Sequence, residues 1–251
     1  MKTVDLNCDL GESFGAYKIG NDGMVTSHIT SANIACGYHA SDHNVMNNTV
    51  KLSAEKGVHI GAHPGFPDLM GFGRRSMNIS PDEIRNMVIY QIGALDAFCR
   101  VNGTKLYHVK PHGALYNMAV KDKSIAAAVV SAILDYDKSL KLLAPFGSEM
   151  TAAAEKAGLG YACEVFADRA YEDDGSLVAR TKESSIITDE NDAVNRVLRM
   201  IKENKVRTVT GKDIYIKADS VCVHGDGEKA LAFVEKIRTK LAENGIDLKA
   251  F

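Results

Sequence analysis

The sequence predicts an α/β protein, a closed TIM-like (β/α) barrel of about seven parallel strands spanning residues 1–251 as one domain. Three observations carry that prediction. Short β-like runs alternate with helical patterns along the whole length. Several runs place polar residues at every second position, and those residues gather at the C-terminal ends. An open parallel sheet is covered by helices on both faces and reads as nearly continuous apolar runs, which these do not. A closed barrel gives the polar faces a shared lumen, with the chemistry at the strand C-termini.

Composition narrows the function classes. Of 251 residues, 45% are hydrophobic and 25% charged, with a net charge of −2, so no basic surface suggests nucleic acid. The longest apolar stretches fall short of the roughly 20 residues that span a bilayer, so no membrane role is expected. The opening MKTVDLNCDL lacks the apolar core of a secretion signal. Five cysteines without a CxxC pair, four of them in predicted strands, fit a reduced cytoplasmic chain.

The first strand, Thr3–Leu10, sets Val4, Leu6, Cys8 and Leu10 on one face and Asp5, Asn7 and Asp9 on the other. Gly11 permits a sharp turn that points Glu12 back toward the mouth. Carboxylates at one strand end either repel, which suits acid–base work, or share a cation. Asp9 and Glu12 are therefore the catalytic candidates, Asn7 a substrate contact, and Asp5 a structural residue near the barrel bottom. After the second strand, Ala32–Cys36, His39 and His43 stand four apart. Ser41 reads as a helix N-cap, with His39 before it and His43 in the first turn. The two histidines can converge on a divalent metal with Asp9, form hydrogen bonds at the mouth, or act as base or substrate clamp.

The third strand, Val58–His63, opposes Val58, Ile60 and Ala62 to His59, Gly61 and His63, and Pro64 pins His63, which with His43 and His112 is a candidate to help Asp9 or Glu12 activate water. Gly71-Phe-Gly73-Arg74-Arg75 follows, a pair of arginines that can clamp a carboxylate or phosphate or simply be solvated. Ser80, Pro81 and Glu83 open a helix striped by Ile84, Val88, Ile92, Leu95 and Cys99. The fourth strand, Leu106–Pro111, puts His108, Lys110 and His112 in one phase, and a cis Lys110–Pro111 bond is open to it. Lys110 is placed to neutralise an oxyanion or phosphate, with His112 as acid, base or ligand.

Asp122 opens a helix striped by Ile125, Val129, Ala132, Ile133 and Tyr136. Strands at Leu140–Ala144 and Tyr161–Phe166 follow; Glu164 and Asp168 share a phase, Glu164 as a substrate contact and Arg169 as a structural partner of Asp168. A weak strand near Ser185–Thr188 precedes a helix striped by Val194, Val197, Leu198 and Ile201. The last strand, Ser220–His224, puts His224 and Asp226 in one phase at the mouth, with capping of the final helix the alternative role for Asp226, before a helix over Ala230–Leu241 that closes near Gly245. No Walker A, GxGxxG, GxSxG or HExxH pattern occurs.

Four blocks, DLNCDLGESFG, SANIACGYHASDH, GAHPGFPDLMGFGRR and HVKPHGALYN, together resemble the family of 5-oxoprolinase A subunits, formerly the LamB/YcsF lactam-utilisation proteins. The resemblance implies a distorted barrel of the glycoside hydrolase/deacetylase group. It also implies a hydrolase role in opening 5-oxo-L-proline to L-glutamate, coupled to ATP hydrolysis, alongside the partner subunits B and C. Deacetylases of that fold group bind a metal through an Asp and a His-x3-His, to which Asp9, His39 and His43 are similar in type and order. Two rival readings follow: a metal-dependent deacetylase or amidase acting without ATP, and a non-catalytic substrate-binding subunit. Homo-oligomer formation is compatible with all three.

Overall fold

A computed structural model of the chain describes residues 2–223 and 230–251. Seven strands close a parallel barrel: β1 (Lys2–Leu10), β2 (Ser31–Ala35), β3 (His59–His63), β4 (Leu106–Val109), β5 (Lys141–Pro145), β6 (Tyr161–Phe166) and, after a β7–β8 hairpin (Lys205–Arg207 and Asp213–Tyr215), β9 (Ser220–Val223). Pairing of β1 with β9 shuts the cylinder. The distortion has a visible source. Only the upper part of β1, from Asp5 onward, pairs with β9 and β2, while Lys2–Val4 pairs with a short terminal strand, β10 (Ile246–Leu248).

Around the barrel lie α2 (His43–Glu55), α3 (Pro81–Val101), α4 (Gly113–Lys121), α5 (Lys123–Tyr136), α6 (Glu149–Ala157), α7 (Glu190–Glu203) and α8 (Ala230–Glu243); a short α1 (Asp22–Val25) sits in the first loop. The α3 stripe behaves as its period requires. Ile84, Val88, Ile92, Leu95 and Cys99 are fully buried, the four aliphatic side chains each contributing roughly 1.5–3 kcal/mol of transfer free energy. Ser80 and Glu83 form the capping box that starts it. The outward residues of β1 (Val4, Leu6, Cys8, Leu10) join the same apolar layer.

Corrections to the expected elements are local. The stretch expected as a weak strand near Ser185–Thr188 supplies a 3-10 turn (Glu183–Ser185) and a single bridge from Ile186 to Arg169, because it belongs to a loop folded over the mouth. Asp42, not Ser41, caps α2, its Oδ1 accepting from the Asn44 and Val45 amides at 2.8 and 3.0 Å. No described peptide bond is cis, so Lys110–Pro111 is trans. The expected mouth residues His224 and Asp226 lie outside the described residues. All five cysteines are buried and free. Among the described residues, no helix is long and apolar enough to cross a membrane.

Candidate active site

Inward side chains stack in two tiers. The lower tier is a closed relay. Thr30 and Ser31 donate to Asp5 Oδ1 at 2.5 and 2.6 Å, and the Ser220 hydroxyl donates to Asp5 Oδ2. Asn7 Nδ2 donates to Ser220 Oγ at 2.7 Å, and Asn33 Nδ2 donates to Asn7 Oδ1 at 2.8 Å. His108 Nε2 donates in turn to Asn33 Oδ1 at 2.7 Å. Gly61 makes room for that imidazole: a Cβ there would overlap His108 Nε2. Burial raises the Asp5 pKa despite its three hydroxyl partners, and burial pushes His108 down to about 3. Asn7, expected to touch substrate, is a member of this tier and does not reach the cavity above.

The upper tier opens into a cavity of about 590 Å3 lined by Asp9, Glu12, His63, Lys110, His112 and Glu164, among others. Lys110 Nζ stands 2.9 Å from Asp9 Oδ1 and 2.7 Å from Glu164 Oε1, with Asn7 Oδ1 and Cys222 Sγ at 3.4 and 3.3 Å. Burial opposes the ammonium charge, but Asp9 and Glu164 overcome it and hold the lysine well above its ordinary range. Its protons are committed to these neighbours, so Lys110 serves the two carboxylates rather than presenting a bare cation. Tyr116 completes the support of Glu164, donating to Oε2 at 2.8 Å.

Three histidines and Glu12 form the other half of the mouth, one potential ligand atom from each lying within 4.8 Å of the others. His63 Nδ1 is 2.7 Å from the Lys110 carbonyl, and His112 Nε2 is 2.9 Å from the Phe72 carbonyl. A carbonyl only accepts, so each of those ring nitrogens carries its proton. In the neutral rings, His63 Nε2 and His112 Nδ1 are therefore bare lone pairs, and they face each other at 2.9 Å. Glu12 Oε1 lies 3.5 Å from His112 Nδ1 and 3.3 Å from His39 Nε2, and Asp9 Oδ2 lies 3.4 Å from His63 Nε2. Burial lowers the pKa of both His39 and His112 well below the histidine range, each pulled further by neighbouring histidines. Glu12 is raised by burial and then by the Asp9 charge.

Local backbone explains who arrives. Ser41 adopts the left-handed φ of 75°, turning the chain between His39, which is fully buried, and His43, which is exposed on α2. The expected Asp9–His39–His43 metal triad is thereby broken, and His63 and His112 stand where His43 was expected. Gly65 and Gly73 press on His39; an added Cβ would lie 2.7 Å from its Nδ1 and 2.6 Å from its Cβ, respectively. The arginine pair is split as well. Arg75 turns away to an ion pair with Asp68, while Arg74 stays at the cavity with its guanidinium 5.1 Å from the Phe72 ring centre. Arg169, expected as a structural partner of Asp168, feels the charge of that carboxylate and also donates to the Val178 and Ser185 carbonyls, at 2.6 and 3.2 Å.

Some contributors had no sequence signal. Phe72 acts through its backbone, a non-glycine residue at φ 54° that aims its carbonyl at His112. The roof is built by the loop after β6, where Tyr171 bridges Leu177 and where Val178 and Arg180 line the cavity. A long polar loop gives no periodicity from which such a roof can be read.

Comparison with known proteins supplies the context. Residues 4–251 match the model of the LamB/YcsF family. A Clostridium beijerinckii protein, named as the A subunit of 5-oxoprolinase, is 64% identical over 248 residues, 99% of this chain and 97% of its own. A Staphylococcus haemolyticus protein of the same name is 56% identical over 247 residues, 98% of this chain and 99% of its own. The crystal structure of a lactam utilization protein from Thermus thermophilus superposes with a TM-score of 0.94 at 43% identity, covering 100% of both chains. A solved Enterococcus faecalis structure at 16% identity and TM-score 0.60 (98% of this chain, 96% of its own) shares the fold alone. On sequence and architecture together, this chain belongs to the LamB/YcsF family.

Proposed function

We propose that this chain is the A subunit of an ATP-dependent 5-oxoprolinase, a hydrolase that opens the lactam of 5-oxo-L-proline to L-glutamate. The observation that carries the reading is identity of 64% over nearly the full length to a protein named as that subunit. The mouth supports it chemically. A five-membered lactam is a resonance-stabilised amide with a poor leaving group on its carbonyl carbon. Transfer of the ATP γ-phosphoryl group to the carbonyl oxygen turns that oxygen into a leaving group. Water then adds to the carbon, cleavage of the ring C–N bond leaves the nitrogen as the α-amino group and the carbon as an acyl phosphate, and a second water hydrolyses that acyl phosphate to the carboxylate and free phosphate.

In this reading Asp9, partly exposed beside Lys110, accepts the proton of the attacking water. Glu12, His63 and His112 face the same space, and Arg74 at the cavity wall pairs with the substrate carboxylate or phosphate. Lys110 is a positioning residue that pairs with both Asp9 and Glu164 and holds them in place. The phosphoryl-transfer step is assigned to the assembly with subunits B and C, since the chain has no recognisable phosphate-binding motif. A turnover assay for glutamate and ADP, run with and without both partners, tests the reading. ADP-linked glutamate is expected only from the full assembly, and its absence there overturns the assignment.

A second reading, amide hydrolysis without ATP, draws on the histidine and carboxylate cluster at the mouth. It requires glutamate release by the isolated chain in the absence of nucleotide.

A further inference from the structure

We infer that Glu12, His63 and His112 form a binding site for one divalent first-row transition ion, zinc being the best fit, with His39 bracing the glutamate. The inference goes beyond lactam opening and is independent of it, because it rests on hydrogen-bond accounting at one cluster. The Lys110 and Phe72 carbonyls fix the tautomers of His63 and His112 from behind. This is the arrangement by which a second layer of hydrogen bonds orients metal-binding imidazoles. What remains in front is a pair of lone pairs 2.9 Å apart in a buried pocket, with a carboxylate oxygen 3.5 Å from one of them. Facing lone pairs repel and call for a cation between them.

The spacing fits. Ligands held tetrahedrally at about 2.0–2.1 Å from zinc lie about 3.3–3.4 Å apart, and the donor separations here are 2.9 and 3.5 Å. The His63 and His112 rings meet at 89°, so their in-plane lone pairs can converge on one point. His39 differs in every respect. Its ring is stacked on His112, parallel to within 2° at 3.6 Å, which sets its lone pairs beside those of His112 rather than against them. Its Nδ1 is buried without a hydrogen-bond partner, so no backbone group fixes its tautomer from behind. With its proton on Nε2 it donates to Glu12 Oε1 at 3.3 Å and holds the carboxylate in place. Two imidazoles and one carboxylate leave the remaining coordination positions open toward the cavity, the pattern of catalytic rather than structural sites. An ion there would supply a Lewis acid and a water of lowered pKa within reach of Asp9.

The test uses the full chain, stripped with a chelator and then titrated with zinc against a chromophoric competitor. Cobalt(II) is titrated in parallel, and its visible d–d absorption reports coordination directly. One ion per chain is expected, with a four- or five-coordinate cobalt spectrum. His63→Ala and His112→Ala should abolish uptake, and the shape-conserving Glu12→Gln, which still accepts from His39, guards against loss by misfolding and should do the same. His39→Ala should keep the stoichiometry of one but weaken binding by about 10–100-fold, as loss of a bracing partner does. His43→Ala should bind as the unaltered chain does. No zinc uptake and no cobalt spectrum in the unaltered chain would overturn the site, leaving a proton shared between His63 and His112. Uptake lost in His43→Ala and kept in His63→Ala would overturn the ligand set. All of these readouts are taken without lactam, ATP or partner subunits, so they fail or succeed separately from the proposed activity.

Discussion

The floor and the mouth of the barrel are built from the same strands in the same inward phase, yet they differ in what their polar groups have left to give. On the floor, Asp5, Ser220, Asn7, Asn33 and His108 pass hydrogen bonds along a chain in which every donor named meets an acceptor. At the mouth, only a few ångströms along the same strands, His63 and His112 hold unshared pairs against each other, and Asp9 and Glu12 converge on them. Buried polarity alone therefore does not mark function, since a satisfied network is a structural device. Hydrogen-bonding capacity left unused does mark it.

The comparison breaks most sharply at Lys110, which touches both tiers. Lys110→Met leaves the buried Glu164 and the partly exposed Asp9 without their cation, which should cost about 3–5 kcal/mol of unfolding free energy in denaturant titrations. Turnover of the reconstituted assembly should fall on the order of 100-fold or more. A stable, active variant would show that the two tiers are not joined through this ammonium.

A floor substitution should divide the two regions. Asp5→Ala removes the acceptor of three hydroxyls and is expected to cost about 1–3 kcal/mol. Turnover per folded molecule should stay near the unaltered value. A large fall in turnover without a fall in stability would place Asp5 in the chemistry instead.

His108 sharpens the contrast through pH. Its folded pKa is depressed from 6.5 to about 3, so the unfolded chain binds the extra proton first as the solution is acidified. The stability it contributes is complete above the unfolded value and is lost as pH falls toward the folded one. Between pH 7 and about 4.5 the loss attributable to His108 should reach about 2.5 kcal/mol. His108→Gln should flatten that part of the profile, as read by denaturant midpoints at each pH. Equal slopes for the two proteins would remove the histidine from the floor network. The smallest effect belongs to His43→Ala. The side chain is exposed on α2, and the change should stay within about 0.5 kcal/mol in stability and leave turnover unaltered.

Much of this was legible in residue order because strand geometry is a two-residue code. Asp5, Asn7 and Asp9 alternate with four apolar neighbours, and a parallel barrel is the arrangement that seats both sets. The spacing of His39 and His43 misled for the opposite reason. An i, i+4 pair shares a face only inside one helical turn, and the left-handed Ser41 with the Asp42 cap puts the helix start between them. Likewise Arg74 and Arg75 were adjacent in sequence but went to different partners, Asp68 taking only the second.

Local order thus determined the strand phases, the capping box of α3, the apolar stripes and the inventory of carboxylates and imidazoles, since each depends on neighbours a few positions away. Which imidazoles meet was decided in three dimensions. His63 and His112 are 49 positions apart, and the carbonyls of Lys110 and Phe72 that set their protons have no side-chain identity to read. Closing the barrel brings such groups together because inter-strand pairing fixes distances that chain separation does not.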